Sequence, residues 1–175
     1  GPQTISTSDS GYAGTASIGS TQDEYWSNIS NATGSADGNK ATIDVGRHDL
    51  SDELLLTNFG LNIPTGATIE GITVTLNTTG SASNPDNAYY ATRITKNGST
   101  SAGTAPAPSG TWTSGSVVRG SSTNLWGTTW TASELNASSF GLIIQIEDGE
   151  VSIDSAEIEV GYSVNNAGSE PKSLD

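Results

Sequence analysis

The chain contains no cysteine, no methionine and a single histidine, and it sets only 6 lysines and arginines against 19 acidic residues. Each shortage closes off a class of function. Without cysteine there is neither a disulfide nor a thiolate metal site, and a large enough core needs no such bridge. A phosphate backbone is bound by Lys and Arg, and a chain of net charge −13 mostly repels it. Anionic membrane surfaces are disfavoured for the same reason, so neither nucleic acid nor membrane is an expected partner. No apolar run approaches the roughly 20 residues of a membrane span, and no signal-peptide pattern opens the chain. Hydrophobic residues are also scarce, at 33%, and Gly, Ser, Thr and Asn take their share. That composition fits a sheet protein whose outward positions carry hydroxyls. A length of 175 residues suits one all-β domain with a sizeable core. Gly1-Pro2 reads as the scar of a protease-cleaved tag and is set aside.

What is present organises itself around Leu54–Leu76. The run Leu54, Leu55, Leu56 leads to Phe59, and Pro64-Thr65-Gly66 punctuates the chain. Beyond it Ile72, Val74 and Leu76 alternate with Gly71, Thr73 and Thr75. Period-two alternation bounded by Gly and Pro marks a half-buried antiparallel strand. Phe140, Leu142, Ile144 and Ile146 repeat the pattern near the C-terminus, and Ile158, Val160, Tyr162 and Val164 close the domain. Ala156 falls out of phase with Ile153, which predicts a bulge between them.

The remaining segments fit the same class. Gln3–Thr21 is Ser/Thr/Gly-rich and reads as an extended arm or weak edge strand; Tyr25-Trp26 follows, and Lys40–Arg47 places Ala41, Ile43 and Val45 on one face. Ala88–Lys96 and Thr111–Gly120 read as further strands, the first ending in the hairpin signal Asn97-Gly98. Thr131–Ser139 is the only helical hint, with Ser133 or Thr131 as the cap of a single turn. The fold expected is all-β: a single antiparallel β-sandwich, jelly-roll-like, of roughly eight strands. Its core is expected at Ile43, Val45, Leu55, Phe59, Ile72, Val74, Leu76, Ile94, Phe140, Leu142, Ile144, Ile158, Val160 and Tyr162. The domain spans 25–164, between an extended N-terminal arm (1–24) and a polar C-terminal tail (165–175).

Three segments in order carry a family likeness: TNFGLNIPTGATIEGITV at Thr57–Val74, TKNGSTSAG at Thr95–Gly103 and GSSTNLWGTTWTASELNASSFGLIIQ at Gly120–Gln145, followed by the strand at Ala156–Tyr162. From Trp26 to Val164 the chain resembles a β-sandwich domain that recurs in structural proteins of tailed bacteriophages and in some bacterial surface or secreted proteins. The resemblance transfers no catalytic residues. It implies a non-enzymatic virion surface protein, a capsid decoration or cement, or a fibre. Such a protein would pack against capsid or tail proteins and copies of itself. The alternative is a carbohydrate- or receptor-binding module of a tail fibre or a secreted bacterial protein, which would meet a cell-surface glycan at the bacterial or extracellular surface.

The residues that carry chemistry offer little else. His48 beside Asp49 is the only site at which a Ser-His-Asp triad could form, but no nucleophile-elbow motif accompanies it, and a solvated loop histidine explains it. The acidic clusters Asp44/Asp49/Asp52/Glu53 and Glu147/Asp148/Glu150/Asp154 would need two carboxyls about 5–10 Å apart across a cleft for glycoside hydrolysis; clustered charge is more often a solvated face. Asn31, Asp37 and Asn39 are the only residues that suggest a structural calcium, and tight turns explain them equally. No other cofactor is expected, and no enzyme. Trp112, Trp126 and Trp130, with Tyr89 and Tyr90, form the candidate binding surface, since exposed aromatic faces stack on sugar rings and anchor interfaces. The turn signal at Gly127 favours the other reading, in which Trp126 and Trp130 plug the sandwich end.

Overall fold

A computed structural model of the chain describes residues 3–82, 92–105 and 114–166. Within these the strands are β1 (Gln3–Tyr12), β2 (Thr15–Ile18), β3 (Ala41–Leu50), β4 (Leu54–Thr57), β5 (Thr68–Ala82), β6 (Arg93–Thr95), β7 (Gly115–Ser121), β8 (Gly141–Ile144) and β9 (Glu147–Asn166). One sheet runs β1-β9-β5-β7, with β3 also pairing β9; the other runs β2-β4-β8-β6, and all pairings are antiparallel. Each strand is followed by one in the opposite sheet, the wrapping of a jelly roll. The fold is an all-β sandwich, as the alternation predicts. Among the described residues helix is confined to a 3-10 turn at Ile29–Ala32 and to α1 (Ala132–Asn136).

The twenty-residue β9 organises the first sheet. Because β5 occupies one of its edges from Gly149 to Ser163, β1 and β3 lie end to end along the other. The predicted bulge is real. Asn77 pairs with Ser155 but Thr78 with Ile153, so Asp154 is the extra residue. A bulge re-aims its side chain, and here it sends the Asp154 carboxylate to accept the Asp37 and Gly38 N–H groups, both at 2.9 Å.

Every expected core position is buried, but Leu55 needs correcting. Alternation puts Leu54 and Leu56 into the core between the sheets, while Leu55 faces the other side of its sheet, opposite the buried Ile143. Of the two readings of Gln3–Thr21, the edge strand holds: the segment forms β1 and β2, each at the edge of a sheet and paired within the chain itself, to β9 and β4. Its small hydroxyl residues lack an apolar face but fit an edge, where one row of ladder hydrogen bonds suffices. Of the expected strands at Ala88–Lys96 and Thr111–Gly120, residues 88–91 and 111–113 lie outside the described residues; the rest gives β6 and β7.

Trp126 and Trp130 are core residues, 0% and 7% exposed, and form no stacking face. Trp126 takes a left-handed backbone (φ 58°), rare for a bulky side chain. Its indole N–H donates to Ile72 O at 2.9 Å, and any Cβ on Gly120 would strike both partners. Trp130 packs edge-to-face on Phe140, with centroids 5.5 Å apart, and Phe140 meets Phe59 in the same way at 6.3 Å. Thr131 caps α1 in a capping box, accepting from Glu134 N while Thr131 N donates to the Glu134 carboxylate.

Candidate functional site

The most developed surface feature begins at Tyr25-Trp26. Successive side chains of an extended segment point to opposite sides. Here Trp26 goes in, its indole N–H donating to Asp52 O at 3.0 Å, and Tyr25 goes out, 77% exposed. The segment is held from both ends. Ser27 and Thr42 exchange backbone hydrogen bonds at 2.9 and 3.0 Å, and Asp52 N donates to Glu24 O at 2.7 Å. Leu50 N donates to the Asp23 carboxylate at 2.9 Å.

Beside Tyr25 lies an open groove of about 420 Å³, lined by Glu24, Ser27, Thr42, Ile43, Asp44, Glu150 and Ser152. Strand register builds it, because Thr42 pairs with Ser152 and Asp44 with Glu150, so these side chains share the outer face of the first sheet. On the far side Ser152 pairs with Thr79 of β5, and a second depression of about 270 Å³ continues there over Thr79, Gly80, Glu150 and Ser152. The two form one trough across β3, β9 and β5. No Lys or Arg lines the part beside Tyr25, Lys40 Nζ donates to Thr79 at 3.5 Å at the β5 end, and among the described residues no ion pair engages Glu24, Asp44 or Glu150. Asp44 and Glu150 come one from each acidic cluster and stand directly opposite. Both are exposed, without the apolar enclosure that a general-acid carboxyl requires.

A buried polar network supports the loop. Composition predicts a solvated acidic connection at Asp52 and Glu53, but they are only 5% and 9% exposed. The reason is a supply of donors from elsewhere in the chain. Gln22 N donates to Asp52 Oδ1 at 2.6 Å and Ser20 N to Glu53 Oε1 at 3.0 Å. One guanidinium nitrogen of Arg93 donates to Glu53 Oε2 at 2.8 Å and to Gln145 Oε1 at 3.0 Å, while Gln145 Nε2 donates to Ser51 O at 3.1 Å. Ser51 Oγ accepts from Ile146 N and donates to Asp52 O, both at 2.8 Å. Burial opposes ionisation of Glu53, but the Ser20 N–H and the Arg93 guanidinium outweigh it and hold the carboxyl below its usual range. Arg93 Nε finds no acceptor among the described residues.

The remaining candidates fall elsewhere. Trp112, Tyr89 and Tyr90 lie outside the described residues, and burial removes Trp126 and Trp130 from any binding face. Asp37 and Asn39 share a turn, the Asp37 carboxylate accepting from Asn39 N at 2.9 Å and Asn39 Nδ2 at 3.4 Å, which lowers its pKa. Asn31 Nδ2 donates to Lys40 O at 3.3 Å. Among the described residues no group of three or more His, Asp or Glu is arranged to hold a metal ion. His48 is exposed at the irregularity between Val45 and Leu50, with φ 69°. The Tyr25 trough was missed because its lining comes from four separate segments. The available signal was the Tyr-Trp dipeptide, in which only one ring can enter the core. No protein-family model, curated protein or solved structure matches the chain.

Proposed function

We propose that this chain is a non-enzymatic structural component of a larger assembly, acting through protein–protein packing. The likeness of its three ordered segments to phage structural domains makes a tailed-phage virion surface the assembly of choice, with capsid or tail proteins and further copies of the chain as partners. The observation that carries the reading is β1. It pairs with β9 in unbroken register from Gln3↔Asn166 to Tyr12↔Glu157, and its other edge has no strand partner among the described residues. Proteins that remain single usually protect such edges with lysine, proline, a bulge or an inward-pointing charge. β1 has no lysine, proline or bulge; its one charge, Asp9, lies on the inner face opposite Val160 and accepts from Asn62 N at 2.7 Å. Strand addition at this edge would supply main-chain hydrogen bonds along ten residues, and repeated copies would make weak contacts sufficient.

The test is the mass of the chain in solution and its retention on purified phage capsids and tails, compared with an Ile5→Lys/Ser8→Lys variant. Both positions are exposed, so the variant should keep its melting temperature while losing self-association and particle retention. A wild-type monomer that binds neither capsids nor tails would overturn the reading.

A further inference from the structure

We propose that the trough beside Tyr25 is a binding site for a neutral, polyhydroxylated sugar. Tyr25 carries the argument. The fold buries Trp26, Trp126, Trp130, Phe59, Phe140 and Tyr162; of the exposed tyrosines, Tyr12 (41%) and Tyr25 (77%), it is Tyr25 that borders a groove of about 420 Å³. That volume lies in the range of small-ligand sites, roughly 300–1,000 Å³. Backbone hydrogen bonds fix the segment on both sides of the ring, so a ligand stacking there loses little entropy to ordering the loop. A flat ring with a polar edge matches the C–H face of a pyranose, whose hydroxyls then need partners at the rim.

The rim provides them in both senses. The hydroxyls of Ser27, Thr42 and Ser152 donate and accept, and the carboxylates of Glu24, Asp44 and Glu150 only accept. No ion pair among the described residues occupies those carboxylates, so they are available to sugar O–H groups. The charge also selects. Around Tyr25 the lining carries acids and no base, and Lys40, which donates to Thr79 at 3.5 Å, stands at the β5 end, so sialylated, uronic or phosphorylated sugars are repelled from the ring. From β3 to β5 the trough crosses two strand spacings, about 10 Å, so an oligosaccharide can lie along it with one ring on Tyr25. An open site of this kind binds weakly, and repeated copies would raise the avidity.

The site uses no residue of β1 and does not depend on the assembly reading. A printed array of neutral and sialylated oligosaccharides, followed by titration of the full chain with the neutral hits, tests it; oligolysine serves as a cationic control. Neutral glycans should be retained and sialylated ones not. Tyr25→Ala should weaken binding about tenfold at unchanged melting temperature, Tyr25→Phe should retain it, and Glu150→Gln should reduce it. In the solution titration, read per site, the Ile5→Lys/Ser8→Lys variant should match wild type even where array avidity falls, which separates failure of this site from failure of the assembly. Three results would overturn the proposal: no neutral glycan bound, binding indifferent to Tyr25→Ala, or oligolysine as the only ligand.

Discussion

At one end of the β2-β4-β8-β6 sheet, just before Gly141, Phe140 sits edge-on to both Phe59 and Trp130. At the other end, just after Ile144, Gln145 joins Arg93, Glu53 and Ser51 in a hydrogen-bonded network. The aromatic end is held by contact area, which is non-directional and needs only filled volume. The polar end is held by directed hydrogen bonds that, Arg93 Nε apart, pair donor with acceptor, so each group lost strands another. The difference bears on the proposed Tyr25 site. Trp26 and Asp52 fix the loop that presents Tyr25, and a network of directed bonds sets the position of a site more sharply than apolar packing does.

Truncation at the aromatic end should have the largest effect. Phe140→Ala removes a fully buried ring and is expected to cost about 3–5 kcal/mol, read as a lower urea midpoint; a change below 1 kcal/mol would mean the ring is not central. At the polar end Arg93→Ala should cost about 1–3 kcal/mol, because Glu53 and Gln145 lose their donor. The double variant Arg93→Met/Glu53→Leu should recover part of that loss, since an apolar pair leaves no charge unpaired. If the double variant is no better than Arg93→Ala, the network is not what holds this end. The smallest effect is on pH dependence. The folded state lowers the Glu53 pKa from its usual 4.5, so the associated stability is present above that value and lost as pH falls through the folded pKa. Glu53→Gln should therefore flatten the decline in stability below pH 4.5, measured by unfolding across an acid series. An unchanged acid limb would remove Glu53 from that role.

The aromatic end was partly legible in advance. Phe140 opens an alternating run, and of the two cap candidates, Ser133 and Thr131, Thr131 caps the turn in a box with Glu134. Period and capping are local signals, so a linear reading recovers them. The polar end was illegible for the opposite reason. Nothing beside Asp52 or Glu53 announces that Gln22 and Ser20, some thirty residues earlier, will supply their donors. The Tyr25 trough needs the β3–β9–β5 register to exist at all, and register is a property of pairing. Even Leu55 shows the limit: its apolarity was plain, yet only the pairing with Ile143 tells which face it serves.

Because β1, β3 and β5 all hydrogen-bond to β9, the first sheet cannot close before the stretch from Glu147 to Asn166 has been made. During synthesis the earlier strands must wait without their central partner, and their unpaired edges are then open to wrong pairings. Loop closure over such separations is slow, so folding belongs with the millisecond-to-second all-β class.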